Sequence, residues 1–192
     1  MGRIGIFLDR DGTINVEVDY LTSPKELQLI PGSGEAVREA NGLDAVVCVV
    51  TNQAGIARGL LTEERLAEIH EELNRQLARH GAHIDAVYYC PHHPTMGEPP
   101  YRAACDCRKP GTGMIDAAVK EFGIDPKRSF VVGDRLLDVG MANAAGATAI
   151  LVRTGYGETE LSRPIPEGAK IDYVAKDLYD AVQFVKRMIQ HD

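Results

Sequence analysis

The feature of this sequence that most constrains its fold is a repeated alternation of short apolar runs with longer amphipathic segments. Six runs are rich in β-branched side chains, and polar or turn residues follow each of them. They are residues 4–8, 45–50, 86–89, 130–132, 149–152 and 173–175. Strands that are apolar on both faces and alternate with helices are typical of a parallel sheet covered on each side by helices. The pattern therefore predicts a three-layer, doubly wound α/β fold with a mostly parallel sheet.

The segment 62–80 carries the clearest helical pattern between these runs. Thr62 is suited to the N-cap position, two glutamates follow it at the positive end of the helix dipole, and Gly81 is placed to end the helix. The predicted apolar face consists of Leu66, Ile69, Leu73 and Leu77. The other predicted helices are residues 34–40, 113–122, 138–145 and 178–190.

Composition bounds the class of protein. A chain of 192 residues with 44% hydrophobic and 26% charged content is large enough for one buried core, so we expect a single domain over residues 1–192. No apolar run approaches the roughly 20 residues that span a bilayer, and no signal-peptide pattern opens the chain, which favours a cytoplasmic protein. A net charge of -7 disfavours nucleic acid as a partner but leaves room for a small phosphorylated ligand. No unexplained apolar stripe appears, so we expect a monomer.

Polar residues stand at the ends of several predicted strands, where a parallel sheet of this kind binds its ligands. Asp9 and Asp11 follow the first strand at a spacing that puts both carboxylates on one side, before Gly12 turns the chain. Thr51 ends the second strand, and Asp134 follows the fourth. Two acids in one small space suit Mg²⁺, although Asp-x-Asp alone is equally typical of a solvated acidic turn.

Four short motifs, in order, resemble those of the haloacid dehalogenase-like phosphotransferases. The matches are Asp9-Arg10-Asp11-Gly12-Thr13, Thr51 in Val50-Thr51-Asn52, Lys109 in Arg108-Lys109-Pro110, and Gly133-Asp134 with Asp138. Taken singly, Thr51 is typical of a strand-end cap and Lys109 of a solvated loop cation. The four together are far more specific than any one of them.

The resemblance implies a role for each matched residue. Asp9 would be the nucleophile that forms an aspartyl-phosphate, and Asp11 the general acid and then the general base. Thr51 and Lys109 would stabilise the phosphoryl oxygens in transit. Catalytic Mg²⁺ would be held by Asp9, Asp134 and the carbonyl of Asp11, while Asp138 would orient that metal shell.

Three of the four cysteines fall in a segment rich in proline and glycine, the loop 90–107. Cys90, His92, Cys105 and Cys107 offer a complete tetrahedral donor set for structural Zn²⁺. His93 is the rival ligand, and we prefer His92 because its Cys-x-His spacing mirrors Cys105-x-Cys107. The alternative is a set of scattered free thiols. Cys48 lies apart in an apolar run and is interpreted as a buried thiol.

The intervals between the motifs leave no room for a separate cap domain, so short loops must set specificity. Within the family, the sequence most resembles phosphatases that remove the 7-phosphate of a heptose 1,7-bisphosphate. Such enzymes make precursors of lipopolysaccharide or surface glycans. The matching stretches are residues 9–15, 51–59, 90–94 and 105–110. The resemblance implies substrate contacts at Glu17, Val18, Asp19, Tyr20, Asn52, Gln53, Ala54, Arg108 and Arg135.

At two of the expected substrate contacts, the sequence differs from the pattern of those phosphatases. Arg135 replaces a lysine, which keeps the charge but changes the donor geometry, and Glu17-Val18-Asp19 replaces a segment richer in His and Gly. A second substrate phosphate would need cations, for which Arg58, Arg102, Arg108 and Arg135 are the candidates. The alternative is that they are plain surface arginines, which is the preferred interpretation for Arg58 and Arg102 taken individually.

Other functions remain open at this point. Histidinol phosphate is the rival substrate, and a polynucleotide 3′-phosphate is a more distant one that the acidic net charge disfavours. A non-catalytic, zinc-stabilised binding module is the alternative of another class. Such a module has no use for a nucleophile like Asp9.

Overall fold

A computed structural model describes residues 2–190 of the chain. Its centre is a six-stranded sheet in the order β3-β2-β1-β4-β5-β6, and every neighbouring pair of strands is parallel. The strands are β1 (Ile4–Leu8), β2 (Ala45–Asn52), β3 (Ala86–Cys90), β4 (Phe130–Gly133), β5 (Thr148–Val152) and β6 (Tyr173–Ala175). The predicted doubly wound α/β fold is confirmed.

Helices cover both faces of this sheet. They are α1 (Ser33–Asn41), α2 (Glu63–Ala78), α3 (Gly113–Phe122), α4 (Leu136–Ala145), α5 (Gly157–Leu161) and α6 (Leu178–Gln190), with short 3₁₀ turns at Pro24–Glu26 and Pro126–Arg128. Helices α1, α2 and α6 share one buried core with alternate strand residues such as Ile6 and Val49. Helices α3 and α4 share the other core with the intervening residues, such as Phe7 and Val50. Both faces of the strands are therefore buried, which is why they appear in the sequence as unbroken apolar runs.

Most predicted boundaries agree with the structure to within two residues. The hydroxyl oxygen of Thr62 accepts a hydrogen bond from the Arg65 N–H at 3.2 Å, as expected of an N-cap. Helix α4 begins at Leu136 rather than at residue 138, because Asp138 lies in its first turn and its carboxylate accepts from the Arg135 N–H. The five-residue helix α5 was not predicted, since it is too short to show periodicity.

The order of the strands reverses at β1: β2 and β3 follow on one side of it, and β4, β5 and β6 follow on the other side. Ligands of doubly wound sheets bind in the crevice at such a switch point, beyond the carboxyl ends of the strands. The ends of β1, β2 and β4 carry Asp9, Thr51 and Asp134. Among the helices described between residues 2 and 190, none is both long and apolar enough to cross a membrane.

Candidate active site

A cleft of about 230 Å³ opens at the switch point of the sheet. Four catalytic candidates, Asp9, Asp11, Thr51 and Lys109, line it together. Gly12 permits this approach: it has a φ of 77°, and a Cβ there would clash with the Asp134 carboxylate. The structure thus gathers groups that are up to 100 residues apart in the sequence.

Lys109 is the cation at the floor of the cleft. Its ammonium nitrogen lies 2.8 Å from Asp9 Oδ1 and 2.5 Å from Asp138 Oδ1, and the residue is only 4% exposed. Burial alone would lower the pKa of this ammonium, but the carboxylates of Asp138 and Asp9 outweigh burial and raise that pKa above its ordinary value. Lys109 therefore stays charged beside the proposed nucleophile.

Three buried carboxylates converge beside this lysine. Oxygens of Asp9, Asp134 and Asp138 all lie within 4.8 Å of one another. Burial raises the pKa of Asp9 to about 7, and burial together with the Asp9 charge raises the pKa of Asp134 to about 8. One ammonium is too little positive charge for three such acids, which is the electrostatic situation that a divalent cation relieves.

Asp134 shows where such a cation fits. Its Oδ2 accepts a hydrogen bond from the Tyr156 N–H at 2.7 Å, whereas its buried Oδ1 has no hydrogen-bond partner within residues 2–190. Both oxygens of Asp138 are occupied, by the Lys109 ammonium and the Arg135 N–H. Asp9 and Asp134 are consequently the carboxylates suited to ligate Mg²⁺, and Asp138 is suited to position its neighbours.

Asp11 is held by a dense set of donors. Asn15 Nδ2 lies 2.9 Å from its Oδ1 and Gln53 Nε2 lies 3.0 Å from its Oδ2, and the Arg10 guanidinium donates to both oxygens. Burial alone would raise the pKa of Asp11, but the Arg10 charge and these hydrogen bonds hold that pKa below its ordinary value. Gln53 Nε2 also donates to Thr51 Oγ1 at 2.9 Å, so one amide links two catalytic candidates.

Arg10 and His70 are part of the site that the sequence did not reveal. Arg10 is fully buried, and its Nη1 lies 3.1 Å from Nε2 of His70 on α2. Burial, reinforced by the Arg10 charge, lowers the pKa of His70 to about 3, so this imidazole is neutral. Two signals were available: an arginine between two strand-end aspartates, and a histidine on the apolar face of α2.

The predicted substrate contacts are mostly brought to the same cleft. Its wall includes Glu17, Asp19, Tyr20, Asn52, Gln53, Ala54, Arg108 and Arg135. Val18 instead lines an adjacent, more open cavity with Ile30 and Thr154. Arg58 lies over the ring of Tyr20 at 5.8 Å, and Arg102 pairs with Glu98; neither lines the cleft.

The predicted Cys/His set converges at a second place, beside the cleft. Cys90 Sγ lies 3.5 Å and Cys107 Sγ 3.2 Å from Cys105 Sγ, and Cys107 Sγ lies 3.4 Å from His92 Nδ1. Tetrahedral zinc with Zn–S bonds of about 2.3 Å needs sulfurs about 3.8 Å apart, close to this arrangement. His93 Nδ1 accepts instead from the backbone N–H of Met96 at 3.0 Å, which places His93 outside the cluster.

Further hydrogen bonds tie the Cys/His loop to the cleft. The Tyr101 hydroxyl donates to Glu63 at the start of α2 at 2.7 Å, and Arg108 Nη1 donates to the His92 carbonyl at 3.1 Å. The Lys109 N–H donates to Asn52 Oδ1 at 3.1 Å. The loop therefore fixes the backbone from which Arg108 and Lys109 enter the cleft. Cys48 lies apart in the core beneath α3, where burial raises the pKa of its thiol to about 12.

The fold and the cleft together define a class of protein. A buried aspartate beside a charged lysine, a second aspartate within the same turn and an acidic cation site are the parts of a phosphoryl-transfer enzyme that uses a carboxylate nucleophile. Comparison with known proteins agrees. The family model described as HAD-hydrolase-like matches residues 106–181.

Relatives at the level of the whole chain narrow the assignment. The chain is 40% identical over 188 residues to the D-glycero-beta-D-manno-heptose-1,7-bisphosphate 7-phosphatase of Haemophilus ducreyi, covering 96% of this chain and 100% of that one. It is 42% identical over 183 residues to the Escherichia coli K12 enzyme of the same name, covering 95% and 93%. A crystal structure of the D,D-heptose 1,7-bisphosphate phosphatase from B. bronchiseptica, complexed with magnesium and phosphate, matches with a TM-score of 0.85 and 35% identity, covering 96% and 98%. The chain therefore belongs to the haloacid dehalogenase-like hydrolases, as a phosphatase of the branch that contains these enzymes.

Proposed function

We propose that this phosphatase removes the 7-phosphate of D-glycero-β-D-manno-heptose 1,7-bisphosphate. The observation that carries the proposal is the convergence of Asp9, Asp11, Thr51, Lys109 and Asp134 at one switch point. Several relatives are named for this substrate and for its β anomer. The substrate is then a small phosphorylated sugar, used by a monomeric single domain without a separate cap.

The first half of the reaction uses Asp9 as nucleophile. Its carboxylate oxygen attacks phosphorus in line, the bond from phosphorus to the sugar oxygen breaks, and Asp11 gives its proton to the departing oxygen. Arg10 and its neighbours keep Asp11 ionised in the resting cleft. An entering phosphate brings negative charge, which favours the protonated form of Asp11 that this step needs.

The second half hydrolyses the aspartyl-phosphate. Asp11, now ionised, takes a proton from water, whose oxygen attacks phosphorus and releases Asp9 and inorganic phosphate. The Lys109 ammonium and the Thr51 hydroxyl line this cleft, where they would stabilise the charge on the transferring oxygens. Mg²⁺ held by Asp9, Asp134 and the Asp11 carbonyl would supply further positive charge for the same oxygens.

The Cys/His cluster is proposed as a structural Zn²⁺ site. Its four side chains would fill the tetrahedral shell of a bound Zn²⁺ and leave no position for water or substrate. Its function would be to hold the loop from which Arg108 contacts the sugar. The remaining substrate contacts are proposed at Glu17, Val18, Asp19, Tyr20, Asn52, Gln53, Ala54 and Arg135.

Phosphate release from three substrates tests the proposed function. Purified enzyme with Mg²⁺ is given the α and β anomers of the heptose bisphosphate and histidinol phosphate, each with and without chelator. We expect the β anomer to have the highest kcat/KM and Asp9→Asn to abolish release, whereas the control Asp44→Asn, at an exposed turn residue, leaves it unchanged. Faster turnover of histidinol phosphate would overturn the substrate assignment. A lack of turnover on every phosphomonoester would favour a binding module.

A further inference from the structure

We propose that Tyr156 is a positioning residue that presents the Arg135 guanidinium to the second phosphate of the substrate. This inference rests on the proposed function, because it needs a substrate with two phosphates. Tyr156 belongs to none of the sequence motifs. It follows β5, at the N-terminus of the short helix α5, and lines both the catalytic cleft and the adjacent open cavity.

Three contacts fix Tyr156 between separate parts of the site. Its ring lies 3.9 Å from Cζ of Arg135, its hydroxyl donates to Asp19 Oδ1 at 2.8 Å, and its backbone N–H donates to Asp134 Oδ2 at 2.7 Å. One residue thus joins a proposed metal ligand, a cleft cation and the loop after β1. Asp19 has a φ of 62°, so the backbone that meets Tyr156 is itself in an unusual conformation.

The flanking glycines explain how the ring reaches this place. A Cβ at Gly155, which has a φ of 56°, would clash with Asp134 and with the backbone of Gly12. A Cβ at Gly157 would clash with the carbonyl of Val152. The chain passes this close to the cleft only because both neighbours of Tyr156 lack side chains.

Arg135 is the cleft cation best placed to accept an anion. Lys109 is engaged by Asp9 and Asp138, and Arg108 donates to the His92 carbonyl. For the Arg135 guanidinium, no salt bridge is found in the part of the chain that the structure describes. Stacking on the tyrosine uses the face of the guanidinium, so its N–H groups at the edge remain directed for bidentate binding of a phosphate.

The acidic residues near Arg135 indicate which part of the cleft would hold the second phosphate and which would hold the sugar hydroxyls. Glu17 and Asp19 line the same cleft wall, and carboxylates accept from hydroxyls but repel phosphate. The Tyr156 hydroxyl holds the Asp19 carboxylate through Oδ1, and its ring holds Arg135. Sugar hydroxyls would therefore face the acids, while the phosphate that is not transferred would face Arg135.

Paired substrates and variants test the role of Tyr156. Tyr156→Leu removes the ring, Tyr156→Phe removes only the hydroxyl, and Tyr179→Leu, at an exposed tyrosine on α6, serves as the control. The heptose bisphosphate is compared with p-nitrophenyl phosphate, which carries a single phosphate. We expect Tyr156→Leu to raise KM for the bisphosphate about tenfold, from the loss of a partly desolvated cation–π contact. KM for p-nitrophenyl phosphate and both kcat values should change less than about twofold, and Tyr156→Phe should show a smaller rise.

A double-mutant comparison separates positioning from general damage. Arg135→Met should raise KM for the bisphosphate at least as much as Tyr156→Leu, and adding Tyr156→Leu to Arg135→Met should raise it no further. Equal loss on both substrates, or additive loss in the double variant, would overturn the proposal. If the wild-type enzyme does not prefer the bisphosphate, the proposed substrate is wrong and this inference is wrong with it. If the wild type prefers the bisphosphate and Tyr156→Leu keeps that preference, only the positioning role is wrong.

Discussion

The guanidinium of Arg10 donates hydrogen bonds to both carboxylate oxygens of Asp11, with Nε 3.1 Å from Oδ1 and Nη2 2.7 Å from Oδ2. These residues are adjacent in sequence, yet Arg10 is fully buried while Asp11 lines the cleft. The remaining Nη1 of Arg10 reaches His70 on α2. The proposed acid–base residue is thus fixed from behind by a chain of contacts that leads into the core.

Replacement of Arg10 should impair catalysis more than binding. Arg10→Lys keeps the charge but loses the two-point geometry, so Asp11 is less well oriented. We expect kcat to fall about ten- to hundredfold, which is only part of the roughly 10²–10⁴-fold that general acid–base catalysis contributes. KM should change little. Steady-state kinetics checks this, with Arg65→Lys on the exposed face of α2 as the control. A wild-type kcat in Arg10→Lys would show that the two-point contact between the Arg10 guanidinium and Asp11 is not needed.

His70 should make stability depend on pH. Its pKa is about 3 in the folded protein and about 6.5 when unfolded, so the unfolded chain binds more protons between these values and is favoured as pH falls. Protonation of His70 in the unfolded chain should lower the free energy of unfolding by up to about 1.4 kcal/mol for each pH unit below pH 6.5. Urea unfolding at pH 7, 6 and 5 should therefore show a shallower decline for His70→Gln than for wild type.

The control for His70 is an exposed residue of the same helix that does not titrate. Asn74→Gln should leave the decline of stability with pH as it is in the wild type. Parallel curves for His70→Gln and wild type would mean that His70 is not held neutral by the fold.

The sequence predicted the strands well for a physical reason. Residues such as Phe7 and Ile6 are buried on opposite faces of the sheet, so the strands need no alternation and stand out as apolar runs. Arg10 could not be predicted in the same way, because arginine is seldom buried without a partner and its partner His70 is 60 residues away. Tyr156 lies in a five-residue helix without periodicity, and its importance follows only from contacts with residues distant in sequence.

Loss of the Lys109 charge should affect both turnover and stability. Lys109→Met leaves the buried carboxylates of Asp9 and Asp138 without their cation, which costs about 3–5 kcal/mol when one partner of a buried pair is removed. Turnover should be lost as well, since the transferring oxygens lose a stabilising charge. Urea unfolding and phosphate release measure the two effects, and Lys186→Met at a half-exposed pair with Glu39 is the control. Unchanged stability of Lys109→Met would contradict the ion pairs seen here.

Removal of metal from the Cys/His cluster should act on substrate binding through Arg108. The cluster ends two residues before Lys109, and Arg108 is held by the carbonyl of His92. Metal analysis should find about one zinc per chain, as expected of a closed four-ligand site, and Cys105→Ser should lower that content. The loop would then hold Arg108 less firmly, so KM for the bisphosphate should rise and the melting temperature should fall.

Cys48→Ala, which removes a buried thiol outside the cluster, should keep the zinc and the wild-type KM. A chain that binds no zinc, or a Cys105→Ser variant with wild-type zinc content, would leave the cluster as a set of free thiols.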